Sequence, residues 1–346
     1  MKKKIILVTT LFAAVMMLGA CKKGTDNHLQ ADNFELTMPD SFSDTYVAET
    51  TENSISVYDK DAKEGDFGGF AFAITAYENT SDWANANAYI KVGELKTKDK
   101  VVYDIVLSTP SDVQYDFNDQ KKIDQYTKLY EYREQAVQDM VGINGATYTY
   151  GAGTHGEDLY GDVIENHIKA INENWDANQL EENNMSSLYA IVAGGGEAAL
   201  SNIGYAYYDV NVDGIDELFI GEIADGDWKG IIYDMYTMVD RKPVHVLSGY
   251  DRDRFFALSA DLIEEYSQGA GESGWNVYNL EANSADLMQQ VSFKVDTYTD
   301  PDNPYFVSYG DGEEWEQLDE EDFNQRLENF QDYQRFDYTP LSDYEK

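Results

Sequence analysis

Cysteine is almost missing from the chain: Cys21 is the only one. A single thiol excludes an internal disulfide and a cysteine-built metal cage. Basic residues are few, 25 against 65 acidic ones, for a formal charge of −40. So acidic a surface repels phosphate backbones, which makes nucleic acid a poor partner. It favours solubility and attracts cations. Common catalytic signatures are also missing. There is no G-x-S-x-G elbow, no H-E-x-x-H pair and no Gly-Lys pair of a phosphate loop. The 4 histidines are scattered as His28, His155, His167 and His245. His167 lies on an amphipathic helical stretch and is expected at a boundary, and His245 falls within an apolar strand. Adjacent carboxylates such as Glu264 and Glu265 carry no information in a chain this acidic. A glycosidase needs only that two carboxylates meet in space, so sequence does not exclude one. Proline is scarce at 6 residues, whereas tyrosine reaches 27. Tyrosine suits half-buried sheet positions and also exposed recognition faces.

What is present begins at the N-terminus. Lys2, Lys3 and Lys4 precede an uncharged stretch from Ile5 to Leu18. That stretch suits a signal-peptide core and is short for a spanning helix. It ends in Leu18-Gly19-Ala20-Cys21, which resembles the lipobox of bacterial lipoproteins. The resemblance implies cleavage before Cys21, a diacylglycerol on its thiol and attachment to the outer face of the bacterial cell membrane. Two acyl chains suffice for stable anchoring. Residues 21–33 are polar and read as a flexible tether.

The remaining length, with 42% hydrophobic residues, suits two globular domains. The first is read over 34–150. Phe34 to Met38, Ser54 to Tyr58 and Gly69 to Tyr77 are strand-like, with Phe70, Phe72 and Ile74 on one face. Tyr89 to Leu95 and Val101 to Leu107 alternate as a hairpin around Lys96-Thr97-Lys98-Asp99-Lys100. Lys121 to Val141 carries Ile123, Tyr126, Tyr130, Val137 and Val141 at helical spacing. "FELTMPDSF", "YDIVLSTPSDVQYD" and the helix after them resemble extracytoplasmic regions of Firmicute lipoproteins with a PsbP-like sheet-and-helix fold. The second domain is read over 151–346, after a glycine-rich joint from Gly142 to Gly156. It opens with a helix from Asp158 to Trp175, continues mostly as short strands, and ends in a helix carrying Phe323, Leu327 and Phe330. The expected fold class is α+β, with two domains that each pack an antiparallel sheet on helices.

One segment carries chemistry: Asp209-Val210-Asn211-Val212-Asp213-Gly214-Ile215-Asp216-Glu217. Calcium loops offer side-chain oxygens at positions one, three and five, a glycine at six and a carbonyl at seven. Asp209, Asn211, Asp213, Gly214 and Ile215 fill those places, and Glu217 adds a carboxylate at nine. Position twelve is Ile220, where an EF-hand requires glutamate. The segment instead resembles the strand–loop–strand calcium loops of FG-GAP repeats, present here in one copy. That resemblance implies Ca²⁺ held by Asp209, Asn211, Asp213, Ile215 and Glu217. The bland alternative is an acidic hairpin with no fixed metal.

Gly151-Ala152-Gly153-Thr154-His155-Gly156 matches G-x-G-x-x-G. Glu157 and Asp158 occupy the place of a pyrophosphate, and no acidic-ended strand follows to hold a ribose. A joint with Thr154 and Glu157 as a capping box is the better reading. "YYDVNVDGIDELFIG" and "SQGAGESGWNVY" also resemble domains of Gram-positive lipoproteins, and that resemblance carries no activity.

The expected function is therefore a lipid-anchored surface protein that binds a glycan, peptide or protein and carries a structural calcium site. Exposed tyrosines, Trp275 and Trp315 are the candidate contact set. The rivals are an extracellular hydrolase with acidic catalytic residues and a structural envelope-assembly protein. Lipidation predicts that Cys21→Ala moves the protein from the membrane fraction to the soluble fraction. A mutant that stays membrane-bound, with no acyl group on the wild type by mass spectrometry, contradicts it.

Overall fold

A computed structural model describes residues 27–345, except 85, 87, 193, 195–197, 251, 311 and 313. The signal segment and Cys21 lie outside the described residues. The described chain is mixed α and β, with strands predominant and antiparallel throughout.

The first part runs β1 (His28–Gln30), β2 (Phe34–Thr37), β3 (Tyr46–Thr50), β4 (Ser54–Asp59), α1 (Lys60–Glu64), β5 (Phe70–Tyr77), β6 (Tyr89–Lys96), β7 (Val102–Ser108), α2 (Gln120–Glu131), α3 (Arg133–Asp139), β8 (Val141–Gly142) and β9 (Thr147–Tyr150). One sheet has the order β3-β4-β5-β7-β6-β9, and a small one has β1-β2-β8. Part of the expected tether is thus a strand: Leu29 is buried, and His28 pairs with Thr37. The Asp119 carboxylate accepts the Lys121 and Lys122 amides and starts α2. Tyr126 and Leu129 bury the inner face of α2, and the Tyr126 hydroxyl donates to the Phe70 carbonyl at 2.6 Å. The single helix expected to Val141 ends two residues earlier. Met140 takes the buried position in extended conformation, and Val141, 50% exposed, joins β8 instead.

The second part contains α4 (Glu157–Asn172), α5 (Ala177–Glu182), α6 (Leu188–Val192), α7 (Ala199–Asn202), β10 (Ile203–Tyr208), β11 (Glu217–Glu222), β12 (Asp234–Val239) and β13 (Lys242–Ser248). Then follow β14 (Asp253–Ala257), β15 (Leu262–Ser267), β16 (Glu272–Leu280), β17 (Leu287–Asp296), β18 (Tyr305–Tyr309), β19 (Glu316–Gln317), α8 (Glu320–Glu328) and β20 (Thr339–Pro340). They form two sheets, β13-β12-β11-β10-β20 and β14-β15-β16-β17-β18-β19. Strand β11 is buried on both faces. Leu218 and Ile220 enter one core with α4 and α8, while Phe219 enters another with Phe255 and Leu262. Burial on both sides is why it reads as a continuous apolar run.

The expected joint narrows. Thr147 to Tyr150 is β9, paired with Gly93 to Lys96 of β6, which leaves a turn from Gly151 to Gly156. The expected capping box does not form. Gly156 occupies the N-cap of α4 without a side-chain bond, and the Thr154 hydroxyl donates to the Gly151 carbonyl at 2.7 Å.

The two parts meet through side chains of both. Trp83 and Val106 belong to the same buried core as Tyr160, Ile203 and Leu218. Beside them Asp104, fully buried, accepts from Thr80 at 2.9 Å, Trp83 Nε1 at 3.1 Å, Lys91 Nζ at 3.0 Å and Arg241 Nε at 3.1 Å. Arg241 sits in the β12–β13 turn, where it and Asp240 both have positive φ. Burial alone would raise the Asp104 pKa; Lys91 and Arg241 outweigh it and hold the group below its ordinary value. A depressed carboxylate pKa stabilises the fold above the unfolded value near 4, and that stability is lost as pH falls below it. Asp104→Ala leaves the Lys91 ammonium buried beside Glu94 alone. The expected loss is about 3–5 kcal/mol in urea unfolding at neutral pH. A change under about 1 kcal/mol would show that the ion pair is not what joins the parts.

Candidate functional site

The loop between β10 and β11 folds around its own carboxylates. After the last strand pair, Tyr208 with Glu217, the chain turns through Val212 and Gly214, both at positive φ. Asp209 accepts the Asp213 amide at 3.1 Å through Oδ1 and the Gly214 amide at 2.9 Å through Oδ2. Asn211 Oδ1 also accepts from the Asp213 amide, at 3.2 Å, and Asp213 Oδ1 accepts the Ile215 amide at 2.8 Å. Glu217 closes the base: Oε2 accepts the Val210 amide at 2.9 Å, and Oε1 accepts the Thr237 hydroxyl at 3.0 Å.

Asp213 and Glu217 are 5% and 1% exposed. Burial, then the neighbouring Asp209 charge, pushes Asp213 up to about 7. Burial, then Asp213, raises Glu217 well above the carboxylate range. Asp209 is raised too, by burial, against the hydrogen bonds it accepts. The loop's amides and one hydroxyl satisfy these oxygens without neutralising them. Asn211 Nδ2 is buried with no acceptor among the described residues. Among the described residues no three His, Cys, Asp or Glu side chains converge closely enough to share one ion. Asp209, Asn211 and Asp213 therefore gather about the turn, whereas Glu217 is engaged at its base.

The loop is docked on both parts of the chain. Strand β9 ends at Tyr150, and beyond it the β6 edge is met by the loop: the Lys91 amide donates to the Asp213 carbonyl at 2.8 Å. The Asp216 amide donates to the Thr154 carbonyl at 2.8 Å, and His155 Nδ1 lies 2.9 Å from Asp216 Oδ2. A crevice of about 320 Å³ beside Ile215 is lined by Lys91, Glu94, Asp158 and Arg241.

Sequence reading missed a second buried knot. His167, expected at a boundary, is 1% exposed, and Asp234 is fully buried. Asp234 accepts the Ser186 amide at 2.9 Å and the Ser248 hydroxyl at 2.5 Å; His167 and His245 Nε2 lie 3.5 Å from its two oxygens. Burial would raise the Asp234 pKa, but the two histidines and Ser248 hold it below its ordinary value. The knot pins α4 to β12 and β13. The lone carboxylate in the apolar run Ile231 to Val239 was its sequence signal.

The aromatic contact set also changes. Trp275 is half-buried, tilted against Phe323 at 6.3 Å, and Trp315 is half-buried under Lys294 Nζ at 4.4 Å. Trp228, Tyr298 and Tyr309 are the exposed aromatics of this part, with Tyr250. No protein-family model, curated protein or solved structure matches the chain.

Gly214 is fixed twice, by φ of +88° and by the Lys91 carbonyl and Ile90 side chain, which a Cβ would strike. Gly214→Ala is expected to cost about 2 kcal/mol or more, read as a lower urea midpoint. A midpoint unchanged from wild type would mean that the loop is not seated on β6.

Proposed function

We propose that the chain is an exported, lipid-anchored surface binding protein whose Asp209–Glu217 loop is a structural calcium site. The anchor reading rests on the lipobox at Cys21. It is further read as two packed α+β units, with residues 34–150 in the first, 151–346 in the second and calcium at their contact.

One observation carries the calcium reading: Asp213 and Glu217 are buried in motif register, 5% and 1% exposed, and burial and the neighbouring loop carboxylates raise both, with the Lys91 cation opposing this at Asp213. The donor set is all oxygen, which suits calcium. Asp209, Asn211 and Asp213 would supply side-chain oxygens, the Ile215 carbonyl a further one, and Glu217 a carboxylate. The ion would supply charge compensation and no chemistry; this chain's residues hold the loop against Lys91 and Thr154. Glutamate is missing at position twelve, which predicts weak affinity, at roughly 10⁻⁴ to 10⁻³ M, like that of extracellular modules.

At free calcium ten times the dissociation constant, linkage gives about 1.4 kcal/mol of stabilisation. Melting curves of wild type and Asp213→Ala in EDTA, calcium and magnesium test it. A calcium-specific rise that the variant lacks is expected, with magnesium less effective because it holds its waters. Equal responses in both proteins would reduce the ion to screening of an acidic surface.

A further inference from the structure

A second cleft lies on the other sheet of the second part, away from the calcium loop. It has a volume of about 410 Å³ and is lined by Arg252, Arg254, Glu265, Ser267, Ser273 and Trp275 among others. That volume falls within the roughly 300–1,000 Å³ of small-ligand sites. The strand register builds it. Arg254 lies opposite Glu265, and Glu265 opposite Trp275. In the next row Ser267 lies opposite Ser273, and its amide donates to the Arg252 carbonyl at 3.0 Å. Alternation puts both rows on one face.

The charge of this cleft runs against the rest of the molecule. The chain has 65 acidic residues and only 25 basic ones, yet Arg252 and Arg254 form no ion pair among the described residues. Glu265, across from Arg254, accepts the Tyr333 hydroxyl through Oε1 at 2.8 Å. Arg254 Nε is buried and has no acceptor among the described residues. The Arg254 guanidinium is nonetheless held in place, stacked 4.1 Å over the Trp228 ring. The turn bearing Trp228 is in turn held by Arg335, which donates to the Asp227 and Lys229 carbonyls at 2.9 and 2.8 Å. The result is a guanidinium held in place with no carboxylate partner among the described residues, a half-buried indole, two hydroxyls and a carboxylate acceptor.

We infer that this cleft binds an acidic saccharide. Arg252 and Arg254 take its carboxylate, Trp275 packs against the sugar ring, and Ser267, Ser273 and Glu265 meet its hydroxyls. The assignment names the ligand class of the surface binding protein proposed above and rests on that reading. An extended peptide fits less well. Strand β14 is a sheet edge, but its backbone is already engaged: the Ile232 amide donates to the Phe255 carbonyl, and Tyr250 and Asp253 exchange two bonds. The net charge of −40 opposes an anion at long range. Screening confines that repulsion to about 8 Å at physiological salt, so the local arginines decide.

The test is tryptophan fluorescence and calorimetric titration of the full chain with trigalacturonate, without added divalent cations because uronates bind them. Wild type should bind. Arg252→Gln with Arg254→Gln should weaken binding roughly tenfold or more, with the calcium-specific melting rise retained. The methyl ester of the same trisaccharide should bind wild type as weakly as the acid binds that variant. If the double variant melts early, Arg252→Gln alone, at an exposed side chain, should still weaken binding. Undiminished binding by the variants, equal binding of the methyl ester, or triglutamate binding as well as trigalacturonate would each overturn the assignment. Absent saccharide binding with the calcium response intact would sink the cleft alone. Loss of both would sink the binding-protein reading as well.

Discussion

The Lys91 amide donates to the Asp213 carbonyl at 2.8 Å, while the ammonium of the same residue lies 3.0 Å from both Asp104 and Glu94. Much of the molecule depends on this one residue. Its backbone seats the β10–β11 loop on the β6 edge. Its side chain neutralises Asp104, which in turn accepts Arg241 from the β12–β13 turn. The register shift in β6 between Lys91 and Gly93 lies beside this contact, and Gly214 is required because the Lys91 carbonyl leaves no room for a Cβ. Strand, loop and turn are thus coupled through a lysine that is 3% exposed.

In so acidic a chain, the direction of each carboxylate's pKa shift records what surrounds it. Asp104 and Asp234 are both fully buried, and both are held below their ordinary value, the first by Lys91 and Arg241, the second by two histidines and hydrogen bonds. Asp213 and Glu217 are buried as well and are raised. Desolvation is common to all four, so the difference is the charge of the neighbours. The first pair is balanced from within the protein. The second pair is not balanced in that way, and the proposed calcium ion would supply the missing charge.

Sequence periodicity carried the elements whose burial is one-sided or whose turn is marked. The β6–β7 hairpin, the amphipathic α4 and the acidic loop all declare themselves that way. Legibility failed where neighbours decide. Strands β14, β15 and β18 are short, and β15 mixes Glu264 and Glu265 into its core-facing pattern, so alternation is masked. Val141 has the right helical spacing, but Met140 takes the core position. Thr154 and Glu157 have capping-box spacing, yet Gly156 takes the cap. Lys91 and Asp104 look like ordinary strand residues, and only the fold brings Arg241 to them. The loop's acidic residues were legible because their spacing is local. Its docking on Lys91 was not, because that contact spans distant segments.

If calcium is held by the loop and fastens it to the β6 edge, the bond between loop and edge should respond to the ion. Amide hydrogen exchange at Lys91 reads that bond directly, because its N–H is the donor to Asp213. Slow exchange at Lys91 is expected with calcium and faster exchange in EDTA, with amides in the interior of the β4–β5 pair unchanged. Identical Lys91 exchange in the two conditions would contradict it.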